Sequence, residues 1–280
     1  MLEPGCCAPR NPNMFTAQMT PKATEMLLLL RSLIFNCLFY LNLVALLVVG
    51  LPTLFMPRRA IFRLARIWAR TSLWLLKIIC NTRVEVRGRE NIPALPLIVA
   101  AKHQSIWETF ALTLLFDDFC YILKQDLLYI PFFGWYLWKS DQIAIDRKSG
   151  SSAIAQVAER MKPIFADKRA LFIFPEGTRR PPGAPRKYKF GVAFLYEQGG
   201  VACLPIALNS GLFWARRSWL RRPGTIVIDI LAPIAPGLDK DIFFERLQDR
   251  LETASDKLLD EAGSQSETLA RIIQRNRQIT

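Results

Sequence analysis

Hydrophobic and polar positions divide the chain into an apolar N-terminal part and a longer part of mixed pattern. Residues 26–49 carry a single charge, Arg31, and Gly50-Leu51-Pro52 then interrupts the apolar run. A helix over these residues would be about 36 Å long at about 1.5 Å per residue, enough to cross a hydrocarbon core of about 30 Å. The run predicts a hydrophobic helical membrane anchor, which either spans the bilayer or enters it and returns.

A second helix of a different character is predicted at residues 58–79. Five basic side chains share one face and apolar side chains fill the remainder: Arg59, Arg63, Arg66, Arg70 and Lys77 on the first, Ile61, Leu64, Ile67, Trp68 and Leu75 on the second. This pattern is typical of an interfacial helix whose arginines reach lipid headgroups, although a core helix with one solvated face shows it too. The positive charges flank the apolar run on this side, which places the C-terminal bulk of the chain in the cytoplasm.

After residue 81, short apolar segments alternate with segments of helical periodicity. Strands are predicted at 83–87, 96–101, 119–123, 142–145, 170–174, 201–208 and 225–231, and helices at 105–116, 151–166, 190–198 and 239–261. This alternation is typical of an α/β domain in which a mostly parallel sheet is flanked by helices.

The same pattern divides the chain into four regions. They are a flexible N-terminal tail (1–25), membrane-embedded and interfacial helices (26–80), the α/β domain (81–262) and a polar C-terminal tail (263–280). The last region is expected to form a trailing helix or a frayed end.

The charge balance indicates which class of partner the chain binds. Lys and Arg number 37 against 24 Asp and Glu, a formal net charge of +13, which suits nucleic acid or an anionic membrane surface. Because many arginines are interleaved with Trp, Phe and Leu beside the apolar run, the pattern favours a lipid headgroup layer. The six cysteines lack metal-type spacing and Cys37 lies within the apolar run, so neither a metal site nor a disulfide framework is predicted.

The stretch AAKHQSIWETF, residues 100–110, contains the only histidine of the chain. His103 follows a predicted strand, at the carboxyl end where open α/β sheets bind ligands. Glu108 lies about 500° further along an ideal helix, so the two side chains meet only if His103 lies in the turn before the helix. The stretch predicts a base and its carboxylate partner. Ser105-x-x-Glu108 also fits a capping box, and we expect the two roles of Glu108 to compete for its oxygen atoms.

Two other strand ends carry basic side chains. SDQIAIDRKSG (140–150) places Arg147 before a helix, an arrangement compatible with phosphate binding, although a surface ion pair is the more common outcome. ALFIFPEGTRRPPG (170–183) leads a buried strand into a tight Pro-Glu-Gly turn, and Arg179 and Arg180 follow at the sheet edge of His103. These arginines predict a phosphate clamp, with an ordinary surface loop as the alternative.

A third strand end, VACLPIALNSG (201–211), contains Pro205 and leads into a loop of mixed character. Residues 212–224 combine four arginines with Phe213, Trp214, Trp219 and Leu220. Loops that combine aromatic and basic side chains anchor proteins at membrane interfaces.

Together these segments resemble the 1-acyl-sn-glycerol-3-phosphate acyltransferase family of bacterial phospholipid synthesis, in the glycerolipid acyltransferase superfamily. Four family blocks occur in order within residues 80–235: His-x4-Asp as His103 and Glu108, an arginine block as IDRKSG, Phe-Pro-Glu-Gly-Thr-Arg as Phe174–Arg179, and a Val/Ile-Pro strand as LPIAL. The chain departs from the family at Glu108, where Asp is usual, and at Lys102, where Asn is frequent.

The resemblance implies transfer of a fatty acyl group from acyl-CoA or acyl carrier protein to the sn-2 hydroxyl of 1-acyl-glycerol-3-phosphate, giving phosphatidic acid. His103 would act as the general base and Glu108 would orient it, with Lys102 and Pro205 in supporting roles. The acceptor phosphate would bind Arg147, Glu176, Gly177, Thr178 and Arg179. The implied partners are membrane lipids, the lysophospholipid and the acyl thioester, without cofactor or metal. The implied location is the bacterial inner (cytoplasmic) membrane, with the catalytic domain facing the cytoplasm.

Three alternatives remain at the level of the sequence. The same chemistry serves a different acceptor, such as lyso-ornithine lipid, if the headgroup site differs. A non-catalytic module that binds anionic membranes would also show the basic and apolar pattern. A nucleic acid binder is disfavoured by the apolar N-terminal run.

Overall fold

The computed structural model describes residues 21–146 and 150–279, which form nine α-helices and seven strands. The helices are α1 (Pro21–Val49), α2 (Arg58–Cys80), α3 (Trp107–Ala111), α4 (Phe133–Lys139), α5 (Gly150–Ala166), α6 (Gly191–Gly199), α7 (Ser210–Phe213), α8 (Lys240–Gln265) and α9 (Glu267–Arg277). The strands are β1 (Thr82–Arg87), β2 (Leu97–Ala101), β3 (Phe119–Lys124), β4 (Ile143–Ile145), β5 (Ala170–Ile173), β6 (Cys203–Leu208) and β7 (Gly224–Ile230).

All seven described strands belong to one sheet with the order β1-β7-β6-β2-β5-β3-β4. Neighbouring strands are parallel except β6 and β7, which run antiparallel. The predicted class, a mostly parallel sheet flanked by helices, is confirmed. Because β2 pairs in parallel with both β5 and β6, its carboxyl end lies between theirs. The segments that follow these three strands therefore meet at one edge of the sheet.

Each predicted strand is present within two residues of its expected limits, but the helix expected at 105–116 is shorter. It consists of α3 and a 3₁₀ turn at Leu112–Leu114. The hydroxyls of Thr109 and Thr113 donate to the carbonyls three residues earlier, each at 2.6 Å, and such bonds compete with regular helical pairing. Because α3 begins only at Trp107, His103 lies outside the helix.

Both faces of the sheet are covered at its centre, so the central strands β2, β5 and β6 are continuous apolar runs. Leu97 and Val99 pack into the cluster formed with α1, α2, α3 and α9. Ile98 and Ala100, between them in sequence, pack into the cluster formed with α5, α6 and α8. The alternation follows from the two-residue period of a strand. The result is a three-layer domain with helices on both sides.

The polar C-terminal segment contains the helix α9, which packs against the domain. Of the two expected outcomes, a trailing helix or a frayed end, the helix is the one observed. Leu269 and Ile273 of α9 are buried against the sheet-side cluster. Asn276 Nδ2 donates to the carbonyl of Pro182 at 3.0 Å. Since Pro182 follows the Pro-Glu-Gly turn, α9 supports the loop that leaves this turn.

The helix α1 is attached to the α/β domain along one side. Phe35 and Phe39 are buried, and their rings contact Trp214 at centroid distances of 5.3 and 5.2 Å. Asn36 Nδ2 donates to the carbonyl of Trp219 at 2.8 Å. Among the described residues, Lys22–Val49 is the one helix long and apolar enough to cross a membrane by length and composition. Its middle section is in contact with protein on one side.

The outer surface of α2 keeps most of its predicted basic face. Arg59, Arg63, Arg70 and Lys77 are exposed. Arg66 departs from the prediction, because its Nη1 lies 3.1 Å from an Asp117 carboxylate oxygen and it is turned toward the domain. Three large apolar side chains of α2 are exposed beside the basic ones: Ile67, Trp74 and Ile78.

Candidate active site

His103 and Glu108 meet as predicted, at the carboxyl end of β2. The imidazole Nδ1 lies 2.9 Å from Glu108 Oε1. His103 lies in the turn between β2 and α3, whereas Glu108 lies in the first turn of α3. The separation of five residues is bridged because the chain folds back before Trp107.

The Glu108 carboxylate is fully buried and both of its oxygens are engaged. Besides the imidazole, Oε1 accepts the backbone N–H groups of Gln104 at 2.7 Å and Ser105 at 2.6 Å. The other oxygen, Oε2, accepts the hydroxyl of Ser210 in α7 at 2.8 Å. An ionised carboxylate only accepts hydrogen bonds, so four donors on two oxygens fit this form and fix its position.

The competition expected between the two roles of Glu108 does not occur. One oxygen, Oε1, both receives the imidazole and satisfies the backbone N–H groups before the helix. Only half of the capping box forms, because Ser105 Oγ accepts from the Trp107 N–H at 3.2 Å instead of from the N–H of Glu108. A single carboxylate oxygen performs both tasks because its bonding directions are broad enough for several donors.

The arrangement leaves the second imidazole nitrogen of His103 available as a base. Because the Glu108 oxygen only accepts, Nδ1 donates its proton and Nε2 of the neutral ring carries a lone pair. The imidazole also stacks on the ring of Phe174, with centroids 4.1 Å apart and planes inclined by 18°. The side chain is about one-tenth exposed, which holds the ring firmly and leaves its edge accessible.

The carboxylate of Glu176 has a different role from the predicted phosphate contact. Its Oε2 accepts the backbone N–H of His103 at 2.7 Å, and its Oε1 lies 2.8 Å from Lys102 Nζ. Both oxygens are committed within the protein, and a second anion beside this carboxylate would be repelled. Burial raises the pKa of Glu176, and the charge of Lys102 opposes this shift. Glu176 therefore positions the backbone of His103.

Lys102 connects this turn to α8. Its Nζ contacts Glu176 and also Glu252 Oε1, each at 2.8 Å, and Tyr188 OH donates to the same Glu252 oxygen at 2.6 Å. Burial by itself lowers the pKa of Lys102, but the charges and hydrogen bonds of the two carboxylates raise it above its ordinary value. The ammonium therefore stays charged and joins the turn at residues 102–105 to α8, while its supporting role in the reaction stays a prediction.

The remaining predicted phosphate contacts lie at the same edge of the sheet. Gly177 has φ of +67°, a left-handed conformation that glycine adopts without steric cost. Thr178 is exposed and Arg179 is half-buried. The next residue, Arg180, donates its backbone N–H to the carbonyl of His103 at 2.7 Å, which joins the two turns. Arg147 lies outside the described residues, so its role stays a prediction.

Pro205 lies in the centre of β6, opposite Ala100 of β2. Its carbonyl accepts the N–H of Leu231, just after β7, at 3.0 Å. Proline donates no backbone hydrogen bond, so it fits where the antiparallel pairing of β6 with β7 begins. Its support of the site is indirect, through the position of the strand that leads to Ser210.

Three contacts of the site were not predicted. Ser210 could have been predicted from the sequence, because it follows β6 at the same carboxyl edge of the sheet as His103. Gln104 Oε1 accepts the N–H of Gly211 at 3.0 Å, which holds α7 against the turn that contains His103. No feature of the sequence indicated the contact of Glu252, since this residue lies on a long polar helix 150 residues from Lys102.

The chain is similar to known acyltransferases. Residues 83–209 match the family described as Acyltransferase. A 1-acyl-sn-glycerol-3-phosphate acyltransferase of Pseudomonas aeruginosa is 42% identical over 176 residues, covering 62% of this chain and 68% of that relative. An enzyme of the same name from Saccharomyces cerevisiae is 31% identical over 193 residues, covering 66% of this chain and 64% of the relative.

A solved structure shares the fold. The crystal structure of the 1-acyl-sn-glycerophosphate acyltransferase PlsC from Thermotoga maritima has a TM-score of 0.68 with this chain and 20% sequence identity. The match covers 82% of this chain and 97% of that one. At this identity the likeness concerns the architecture of the two proteins.

Proposed function

Because the chain belongs to the 1-acyl-sn-glycerol-3-phosphate acyltransferase family, we propose that it acylates the sn-2 hydroxyl of 1-acyl-glycerol-3-phosphate, giving phosphatidic acid. The acyl donor in this proposal is a thioester, acyl-CoA or acyl carrier protein. The names of the relatives support the acceptor class. The observation that carries the chemistry is the buried His103–Glu108 pair with its free imidazole nitrogen.

The imidazole serves as the general base in this reaction. His103 Nε2 takes the proton of the acceptor hydroxyl as that oxygen attacks the thioester carbonyl carbon. Glu108 stabilises the imidazolium that forms and keeps the ring oriented. When the tetrahedral intermediate collapses, the carbon–sulfur bond breaks and the leaving thiolate receives the proton from the imidazolium. The products are the new ester and a free thiol, and no acyl-enzyme is required.

The acceptor phosphate lies, in this proposal, near Arg179. The guanidinium group offers several donors in a planar fork that matches phosphate oxygens. The hydrogen bond from the Arg180 N–H to the His103 carbonyl fixes the distance between this turn and the base. Binding the phosphate there would hold the neighbouring hydroxyl close to His103, which raises its effective concentration.

Membrane association fits the surface formed by α1 and α2. The side of α1 turned away from the domain exposes large apolar residues: Leu29, Leu30, Leu33, Ile34, Leu41, Val44 and Val48. The exposed Trp74 and Ile78 of α2 lie among arginines and a lysine, a composition suited to the headgroup boundary. Because α1 is packed on the domain, we favour entry into one leaflet over a free span, with the catalytic domain on the cytoplasmic side.

The function is tested by comparing the purified wild-type enzyme with His103→Ala. Release of thiol from acyl-CoA is measured with 1-acyl-glycerol-3-phosphate, lysophosphatidylglycerol and lyso-ornithine lipid as acceptors. We expect the first acceptor to be preferred and His103→Ala to reduce kcat by about 1,000-fold, as for the loss of a general base. The exposed Arg89→Gln variant, which removes a distant charge, serves as a control and should retain full activity.

Each contrary outcome would overturn a different part of the proposed function. Preference for lyso-ornithine lipid would replace the acceptor and keep the chemistry. Substantial turnover by folded His103→Ala would remove the base assignment. An absence of transfer by the wild type with every acceptor and both donors, together with tight vesicle binding, would favour the non-catalytic membrane module.

A further inference from the structure

The loop at residues 214–222, which we call the cationic loop, lies beyond the part of the chain that matches the acyltransferase family model. It follows α7, which carries Ser210, and so begins beside the Glu108 carboxylate. Arg216 and Arg217 are exposed on it. From the sequence alone, this segment is expected only to anchor the protein at a membrane interface.

The cationic loop contacts the Pro-Glu-Gly turn at Arg179. Arg216 Nη1 donates to the Arg179 carbonyl at 3.0 Å. Burial lowers the pKa of Arg179, the positive charges of Arg216 and Arg217 lower it further, and the Glu108 carboxylate opposes this shift, so these charged groups lie within electrostatic reach of Arg179. In the described ranges, 21–146 and 150–279, none of the three forms an ion pair with a carboxylate. The three guanidinium groups outnumber the nearby Glu108 charge, so the cluster carries an excess of positive charge that favours an anion.

Arg217 lies in a tight turn of the cationic loop with its side chain exposed. Its φ of +57° lies in the left-handed region, which is sterically unfavourable for a non-glycine residue. Glycine or asparagine would fit this turn without that cost. A change to glycine at this position therefore removes the charge without straining the backbone.

The cationic loop is held in place from its other side. Trp214 is buried between Phe35 and Phe39 of α1, and the Arg221 N–H donates to Ser32 Oγ at 2.9 Å. The Arg221 guanidinium lies over the Trp214 ring, 4.1 Å from its centroid. A loop with these attachments presents Arg216 and Arg217 at a fixed place relative to Arg179.

We propose that Arg216 and Arg217 complete the phosphate site with Arg179 and make it selective for a phosphomonoester headgroup. The inference deepens the proposed function and rests on it. A phosphomonoester carries about two negative charges near pH 7, so it neutralises three clustered guanidinium groups better than a phosphodiester with one. Its additional terminal oxygens also offer more acceptors to planar donors. Lysolipids with larger headgroups on the phosphate are disfavoured on both counts.

The selectivity is measured in micelles of a neutral detergent, where anionic bilayer lipid is absent. The two acceptors are 1-acyl-glycerol-3-phosphate and lysophosphatidylglycerol, assayed with wild type, Arg216→Gln, Arg217→Gln and the control Arg89→Gln. We expect each loop variant to raise the KM for the phosphomonoester about tenfold with little change in kcat, as for one lost charged hydrogen bond. The preference over lysophosphatidylglycerol should fall by a similar factor. An unchanged KM and preference in both loop variants would overturn the proposal.

Two further variants separate charge from loop conformation. Arg217→Gly removes the charge and relieves the left-handed backbone, so it should raise KM while leaving the melting temperature equal or higher. Arg217→Lys keeps the charge and should recover most of the affinity. If Arg217→Gly retained the wild-type KM, the arginine would have no part in acceptor binding and the proposal would fall.

The remaining comparisons distinguish the substrate phosphate from bilayer phosphate. Cosedimentation with vesicles containing phosphatidylglycerol should change little in the loop variants; loss of vesicle binding with an unchanged micellar KM would assign the arginines to the bilayer and overturn the proposal. Equilibrium binding of both lysolipids is measured in the His103→Ala background. If the wild type shows no turnover, the proposed function fails, and this binding preference still tests the arginines: equal affinity for both headgroups would exclude the selectivity.

Discussion

At the scale of single residues, the site is organised around one buried carboxylate. Glu108 Oε1 receives the imidazole and two backbone N–H groups, and Oε2 receives the Ser210 hydroxyl. The family resemblance predicts Asp at this position, but the turn before α3 has a geometry that uses the longer side chain. The carboxylate reaches back over residues 104–105 while its own Cα lies inside the helix.

Shortening this side chain tests the geometry. Glu108→Asp withdraws the carboxylate by one methylene, and we expect kcat to fall about 100-fold, the scale associated with displacement of a catalytic group by about 1 Å. The KM for the acceptor should change little, because the proposed phosphate contact at Arg179 is a separate side chain. Steady-state kinetics together with a melting curve measure both effects. Wild-type kcat in this variant would show that the longer side chain is not needed to orient His103.

Ser210 offers a milder change at the same carboxylate. Ser210→Ala removes one hydrogen bond to Oε2 and keeps the three donors on Oε1. We expect kcat to fall about tenfold, in keeping with one hydrogen bond to a charged group. Ser210→Thr keeps a hydroxyl and should recover part of the rate. Equal rates for alanine and threonine variants would assign Ser210 a packing role only.

At the scale of elements, a buried ionic cluster joins the turn after β2, which contains His103, to α8. Lys102 contacts Glu176 and Glu252, and the cluster joins the end of β2, the turn after β5 and the middle of α8. Buried ion pairs add little net stability, but breaking one leaves an uncompensated charge. The cluster therefore fixes the relative position of three elements that are far apart in the sequence.

Removing the cation should destabilise the fold strongly. Lys102→Met leaves two buried or half-buried carboxylates without their cation, and we expect a loss of about 3–5 kcal/mol in the free energy of unfolding. Glu252→Gln alone should cost less, because Glu176 still pairs with Lys102. In the double variant the losses should not add, since one charge is removed with the other. Urea unfolding of the four proteins measures this coupling, and additive losses would show that Lys102 and Glu252 act independently.

At the scale of the whole molecule, α1 and α2 give one side of the protein an apolar and basic surface. The exposed Trp74 and Ile78 of α2 are flanked by Arg70 and Lys77, and α1 adds a longer apolar strip. On the opposite side of the sheet, α8 is largely polar. This asymmetry predicts the side from which the enzyme approaches its lipid substrate.

Replacing two apolar side chains on that surface tests the approach. The double variant Trp74→Ser and Ile78→Ser should lower partitioning into vesicles about tenfold or more, because each apolar Å² in the membrane contributes about 25 cal/mol. Activity toward micellar acceptor should be retained, as neither residue contacts the site. Ile242→Ser, an exposed apolar position on α8, is the matched control. Equal loss of vesicle binding in both variants would show that α2 is not the membrane surface.

The sequence by itself determined the strands, the longer helices and the chemical candidates, whereas the short helices α4 and α7 were not predicted. Hydrophobic residues recur every two positions in strands and every 3.6 in helices, so the pattern is visible in neighbouring residues. The seven strands of the described residues and the position of His103 before a helix were therefore predictable. The same local signals predicted the arginine turn at 176–180 and the apolar helix. Short-range patterns suffice wherever the interacting residues are close in the chain, as His103 and Glu108 are.

Only the tertiary structure decided which distant side chains surround these candidates. Ser210 reaches Glu108 across 102 residues, and Glu252 reaches Lys102 across 150. Such contacts depend on the strand order β6-β2-β5 and on the docking of α8, which no local periodicity specifies. The same holds for Glu176, which a motif associates with phosphate but which the fold turns toward the His103 backbone. Local pattern defines the elements, whereas the packing between them determines the partner of each charge.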